Sequence, residues 1–279
     1  MKSAKVRPGV VYAAVHTSTA RLAALKQVHI QGVSERSMKR FIRGMEVMKK
    51  VQHPNLVRFF GQGIHQEAHY LVSEYLDSGN ARQLISNRYK GPLPPKIACQ
   101  IMIDVLTGLE YFHQQGKQDK QDEQGNVHRA VTPANILLTR TDDHGVGTAK
   151  LGDFGLAKSY ADAGGPPITD PNEQAGPLLY MAPEQIADFK NARPSGDVYS
   201  AGVSLYELLT ATLPFDHETA KDPVLIVLEE TPIPVQDRNP NIPRRLARIV
   251  NDAIRKNLAD RFQSTDEFRE ELESVLMDL

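Results

Sequence analysis

Apolar positions keep a strand-like character through the first quarter of the chain and a helical one afterwards. Gly9-Val10-Val11-Tyr12-Ala13-Ala14-Val15 and Leu22-Ala23-Ala24-Leu25-Lys26-Gln27-Val28 are short apolar runs with Thr17-Ser18-Thr19 between them. Runs of this length bounded by turn residues predict two strands joined by a turn. Ser34 then offers an N-cap hydroxyl. Met38, Phe41, Ile42, Met45 and Met48 follow at helical spacing, which predicts an amphipathic helix. Leu56-Val57-Arg58-Phe59-Phe60 and His69-Tyr70-Leu71-Val72-Ser73 complete a small sheet. Beyond them, Pro94 to His113 places Ile97, Ile101, Val105 and Leu109 on one helical face, and Thr265 to Met277 does the same for Phe268, Leu272 and Val275. Gln114 to Asn126 is polar throughout and predicts a solvated loop.

Composition narrows the class without choosing a function. With 279 residues, 41% apolar and 24% charged, the chain can bury a sizeable core. The lone Cys99 cannot form an internal disulfide, which points to a reducing, cytoplasmic compartment. No signal peptide or transmembrane-length apolar run is evident. The net charge of -1 hides an asymmetry: residues 1–72 hold 12 Lys/Arg and 3 Asp/Glu, or +9, so the remainder sums to -10. Two readings stay open, a basic half docked on an acidic half or a basic patch for an acidic partner. No motif points to nucleic acid.

The candidate chemistry lies in four segments. Val127-His128-Arg129-Ala130-Val131-Thr132-Pro133-Ala134-Asn135 leads into the apolar Ile136-Leu137-Leu138. Lys150-Leu151-Gly152-Asp153-Phe154-Gly155 follows, its Asp 18 residues after Asn135. Tyr180-Met181-Ala182-Pro183-Glu184-Gln185 and Asp197-Val198-Tyr199-Ser200-Ala201-Gly202 come next. In order and spacing these resemble the protein kinase family, with its catalytic loop H-R-D-x-K-P-x-N, its D-F-G, its A-P-E and its D-x-W-S-x-G. The resemblance covers nearly the whole chain and looks closest to bacterial-type serine/threonine kinases. It implies an α+β, two-lobed fold: a small antiparallel sheet with one helix, then a mainly helical lobe. It also implies one domain over 1–279, with an N-lobe to residue 73, a hinge at about 73–78 and a C-lobe from 79.

Carried over residue by residue, the resemblance divides the site into kept and lost positions. Lys26 follows Ala24 by two, matching the A-x-K whose Lys pairs with the α/β-phosphates. Asn135 and Asp153 match the magnesium ligands. Val11, Ala24 and Leu137 match the apolar residues that sandwich adenine, and Glu74-Tyr75-Leu76 matches the hinge that bonds adenine through its backbone. Asp197 would hold the catalytic-loop backbone, and Arg261 would pair with Glu184. Against these, Ala130 stands in the place of the catalytic Asp and Thr132 in the place of the Lys. Pro177 replaces the activation-segment Thr, and Gly44 replaces the helix Glu that orients Lys26. Of three loop glycines only Gly9 remains, the others reading Ala4 and Val6. The chain also begins close to this loop, which implies either a fragment or a shortened first strand. Ser159 and Thr169 are candidate phosphorylation sites or merely solvated loop residues. Asp119, Asp122 or Glu123 could supply a carboxylate only from an ordered loop.

These losses imply a pseudokinase that binds ATP and Mg²⁺ weakly or not at all and works through an unidentified protein partner. A base contributes ~10²–10⁴-fold to rate. The alternative is a slow serine/threonine kinase, because phosphoryl transfer is largely positioning and electrostatics. A third reading is a scaffold closed to nucleotide.

Overall fold

A computed structural model describes residues 3–5, 10–28, 45, 48–65, 68–118, 126–140, 146–153, 178–189, 191–216 and 222–279. Gly9, Gly44 and Pro177 lie outside the described residues, as do Val6, Ser34, Asp119, Asp122, Glu123, Ser159 and Thr169. Five strands form one antiparallel sheet: β1 (Ser3–Lys5), β2 (Val10–Val15), β3 (Leu22–Val28), β4 (Phe59–His65) and β5 (Ala68–Glu74). Their order is β1-β2-β3-β5-β4. Val11 pairs with Lys26, Lys26 with Leu71 and Ala24 with Ser73. Side chains alternate along a strand, so Val11, Ala24 and Lys26 share one face while Ala23 and its partner Glu74 take the other. Of the apolar stripe, Met45 and Met48 are helical and buried, and Met38, Phe41 and Ile42 lie outside the described residues.

Two boundaries differ from the sequence reading. The apolar run Leu56 to Phe60 is not one strand. β4 starts at Phe59, whereas Val57 N–H donates to Leu151 O at 2.9 Å and Leu151 N–H to Asn55 O at 2.9 Å. The run therefore serves two partners, one in each lobe. The long helix ends at Gln118 rather than His113, so the first five residues of the polar insert continue it.

After β5 the chain turns at Gly79, whose φ of +77° favours glycine. A capping box then starts α1 (Ala81–Gln83): Asn80 Oδ1 accepts from Gln83 N–H at 2.9 Å, and Gln83 Oε1 accepts from Asn80 N–H at 3.1 Å. Leu138 N–H donates to Gly79 O at 3.0 Å, pinning the lobe junction to the hairpin β6 (Ile136–Leu138) and β7 (Ala149–Leu151). Further α-helices among the described residues are α2 (Pro95–Gln118), α3 (Pro183–Ala187), α4 (Pro194–Thr210), α5 (Pro223–Glu229), α6 (Val235–Arg238), α7 (Arg244–Ala253) and α8 (Thr265–Leu276). Buried on nearly every side, α4 is the centre of this lobe. At Gly202 an added Cβ would lie 2.8 Å from Ala253 Cβ, so glycine sets how closely α4 and α7 approach. Cys99 is buried in α2, and burial pushes its thiol up to about 12. No helix among the described residues is long and apolar enough to cross a membrane.

Candidate active site

Asp197, in the first turn of α4 and fully buried, organises the loop that carries Ala130. Its Oδ2 accepts the His128 N–H at 2.7 Å and His113 Nε2 at 2.8 Å, and its Oδ1 accepts the Arg129 N–H at 2.7 Å. Arg129 has φ +70°, a conformation that L-residues adopt only when their surroundings impose it. Here the imposing groups are Asp197 and Gln185, whose Nε2 donates to Arg129 O at 3.1 Å. Burial drives the Asp197 carboxyl up, but the hydrogen bonds it accepts and the charge of His113 outweigh it, and the group sits below its ordinary range.

His128 has one permitted tautomer. Its Nε2 lies 3.0 Å from Gly152 O, an acceptor, and its Nδ1 lies 3.2 Å from the Ala130 N–H, a donor. The ring must carry its proton on Nε2 and stay neutral. Burial accordingly holds its pKa below the usual 6.5. The unfolded chain takes up this proton as pH falls through about 6.5, and the folded chain does so only at lower pH. The stabilisation from neutral His128 is therefore complete above pH ~6.5 and is lost on acidification. Urea unfolding at pH 7.5 and 5.5 should show the fold weaker at 5.5, with this residue contributing at most ~1.4 kcal/mol per pH unit. His128→Gln should flatten that part of the slope, and an unchanged slope would remove His128 as its source.

From this loop a continuous path of contacts reaches the sheet. Asn135 Nδ2 donates to Ala130 O at 2.8 Å, and Gly152 N–H donates to Asn135 O at 2.8 Å. Asp153 follows at φ +59°, and its Oδ2 pairs with Lys26 Nζ at 2.7 Å. Ala130, Asn135, Asp153 and Lys26, spread over 128 residues of sequence, thus meet in one place. Position 44, where the family's helix Glu would stand, lies outside the described residues; among the described residues Lys26 pairs with Asp153 on the far lobe. Asn135 Oδ1 has no hydrogen bond among the described residues, and the backbone bond from Gly152 N–H to Asn135 O ties Asn135 to the residue just before Asp153. A carboxamide and a carboxylate oxygen form the donor set that a hard cation such as Mg²⁺ takes. The residues present therefore fit the metal.

Other predicted positions behave differently. Val11 and Ala24 flank Lys26 on its own face, half-buried, and Leu137 lies half-buried on β6. The Glu74 side chain turns to the opposite face, where Lys150 Nζ meets its two oxygens at 2.7 and 2.9 Å. The Glu74 N–H is also used, donating to Arg58 O at 2.8 Å, so of its polar groups only the carbonyl could face a ligand in the cleft. Leu76 is half-buried and packs against the core. Thr132 is buried, and its carbonyl accepts the Asn135 N–H at 2.9 Å.

Three participants escaped the sequence reading: His113, Gln185, and the network in which Arg82 and Glu207 both bond the Tyr180 hydroxyl. His113 ends an apolar helical run and Gln185 follows A-P-E, and neither position carries a local signal of its partner. The anticipated pair is present: Arg261 Nη1 lies 2.8 Å from Glu184 Oε1 and Nη2 3.3 Å from Oε2.

Comparison with known proteins places this geometry. A family profile described as "Protein kinase domain" spans residues 7–272. The chain is 32% identical over 238 residues to the serine/threonine-protein kinase PknB of Mycobacterium leprae, covering 84% of this chain and 35% of that protein. It is 30% identical over 249 residues to a probable serine/threonine-protein kinase of Clostridium perfringens, covering 88% of this chain and 33% of that protein. The chain spans about a third of the length of these curated relatives. Among solved structures, it is similar to the kinase domain of Mycobacterium tuberculosis PknI, with a TM-score of 0.70 and 23% identity, covering 98% of this chain and 94% of that one. It is also similar to Rad53 in complex with AMP-PNP, with a TM-score of 0.72 and 23% identity, covering 94% and 61%. A family profile over nearly the full length, together with a two-lobed fold that puts Lys26, Asn135 and Asp153 in contact order, establishes that the chain belongs to the protein kinase domain family.

Proposed function

We propose that this domain binds magnesium nucleotide and is a serine/threonine-type kinase of very low turnover. The observation that carries this reading is the linked set Lys26, Asp153 and Asn135 beside a loop that is correctly held by Asp197 yet carries Ala130. Lys26 would take the α/β-phosphates, and Asn135 and Asp153 would hold Mg²⁺, which supplies charge neutralisation to the phosphates. Val11, Ala24 and Leu137 would cover the two faces of adenine, and the backbone near Glu74 and Leu76 its edge. Weak affinity follows from the Lys26–Asp153 pair itself, which a nucleotide must open, and from the single remaining Gly9 of the phosphate loop. Kinship with serine/threonine kinases supports slow transfer over complete loss.

The second reading is a pseudokinase that acts on a protein partner without turnover. Ala130 favours it, because a methyl group takes no proton from a substrate hydroxyl. Among the described residues no carboxylate hydrogen-bonds the segment from Ala130 to Asn135.

Transfer of radiolabelled phosphate to a basic protein substrate separates the two readings. Turnover that persists after repurification and is abolished by Asp153→Ala supports the slow kinase, and none at all supports the pseudokinase. Nucleotide binding is read separately. For a dissociation constant near ~100 μM, ~1 mM Mg-ATP stabilises the fold by about 1.4 kcal/mol, a rise of roughly 3–5 °C in midpoint. Lys26→Ala and Asp153→Ala should each shrink that rise. An unmoved midpoint in the unmodified protein would point instead to a scaffold closed to nucleotide.

A further inference from the structure

On the face of the sheet opposite Lys26, a cleft of about 480 Å³ opens behind the junction of the lobes. Lys26, Asn135 and Asp153 do not line it. Its floor is the Glu74–Lys150 pair, and Arg21, Arg58, Leu56 and Phe60 stand around that floor. The floor is electrically satisfied: Lys150 meets both Glu74 oxygens, and Glu74 Oε2 also accepts the Arg58 N–H at 3.2 Å.

The rim is not satisfied. Arg21 and Arg58 are exposed, and neither guanidinium has a hydrogen bond or ion pair among the described residues. Arg58 only lies over the Phe60 ring, 5.7 Å from its centre. Phe60 is 47% exposed although it is large and apolar, while Leu56 beside it is 2% exposed. A solvated arginine is ordinary on a surface. Two that line one concavity together with an exposed aromatic present a specific complement. Each guanidinium is a planar fork that matches a carboxylate, and the ring offers an apolar seat that a small inorganic anion cannot cover. Arg21 and Arg58 also belong to the +9 of residues 1–72, so the wider field has the same sign.

We propose that this cleft binds a short acidic segment of a partner protein, with carboxylates on Arg21 and Arg58 and an apolar side chain over Phe60. The site lies apart from the nucleotide residues, so the proposal stands or falls independently of catalysis.

The test is fluorescence anisotropy with a fluorescein-labelled octapeptide of Glu, Leu and Phe, against the same peptide with Lys for Glu. The acidic peptide should bind and the basic one should not. Arg21→Glu and Arg58→Glu should each weaken binding at least about tenfold, since like charges then face each other. Phe60→Ala should weaken it as well, and Lys26→Ala should leave it unchanged. If Arg58→Glu lowers the melting midpoint, Arg58→Gln reads the same pairing without charge reversal. Binding that survives the Arg21→Glu, Arg58→Glu double variant would overturn the proposal. No binding at ~1 mM peptide, weaker than about -4 kcal/mol, would overturn it too. So would displacement by sodium phosphate together with indifference to Phe60→Ala, which would reduce the cleft to a simple anion site.

Discussion

Arg261→Ala should lower the unfolding free energy by ~3–5 kcal/mol and the melting midpoint by on the order of 10 °C. The side chain is fully buried and its three nitrogens serve five acceptors. Beyond the two Glu184 oxygens, Nη1 donates to Ser195 O at 3.0 Å, Nε to Arg255 O at 2.9 Å and Nη2 to Lys256 O at 3.3 Å. The guanidinium also covers the Tyr199 ring, 4.9 Å from its centre. Truncation leaves three carbonyls and a carboxylate to be satisfied in the space the guanidinium filled, and an unpaired buried polar group costs far more than a lost surface contact. Glu184 is itself 26% exposed and can rehydrate, so Glu184→Gln should cost less than Arg261→Ala. Arg261→Lys should recover only part of the loss, because one ammonium cannot reach acceptors spread around a planar fork. Urea unfolding of the four proteins checks the order. An Arg261→Ala variant within ~0.5 kcal/mol of the parent, the usual range for a surface change, would show that the fold does not depend on this anchor.

Ala130→Asp alone should raise phosphate transfer only slightly, whereas Gly44→Glu, Ala130→Asp, Thr132→Lys and Pro177→Thr together should raise it far beyond the sum of their single effects. The backbone at Ala130 needs no repair, since Asp197, Gln185 and Asn135 already hold it. What is missing is the set of side chains that would orient a new carboxylate and the phosphate. Thr132 has no positive charge to offer the transferring group. Lys26 is held by Asp153, the proposed metal ligand, and a Glu at position 44 would compete for it. Residues that act as a unit are grossly non-additive, so one repair in a unit with several gaps recovers little. The base alone is worth ~10²–10⁴-fold only when its partners are in place. The measurement is labelled phosphate transfer by purified single and combined variants. Turnover of ~1–100 s⁻¹ from Ala130→Asp alone, ordinary for kinases, would refute the distributed loss.

The pieces that could be read along the chain are those whose signal is local. Period and turn residues located the hairpin of β2 and β3, the long α2 and the terminal α8, because a 2.0 or 3.6 repeat is written within one element. Fixed spacing located Asn135, Asp153, Asp197 and the Glu184–Arg261 anchor, because family motifs record geometry as distance in sequence. Local reading failed where one run serves two partners. Leu56 to Phe60 has a strand composition throughout, yet its first residues bond Leu151 in the other lobe and only its last two enter β4.

The family, the two-lobed α+β class and the presence of Ala130, Thr132, Pro177 and Gly44 at the motif positions were legible along the chain, because residue identity and spacing do not depend on folding. Which charged groups meet was settled only on folding. Folding turned the Glu74 side chain away from the cleft to Lys150, gave Asp197 the imidazole of His113 as a third contact, and closed Lys26 onto Asp153 across 127 positions. A charge takes whichever opposite charge lies within a few ångströms, and Coulomb attraction depends on distance through space. That distance exists only after the two lobes have packed.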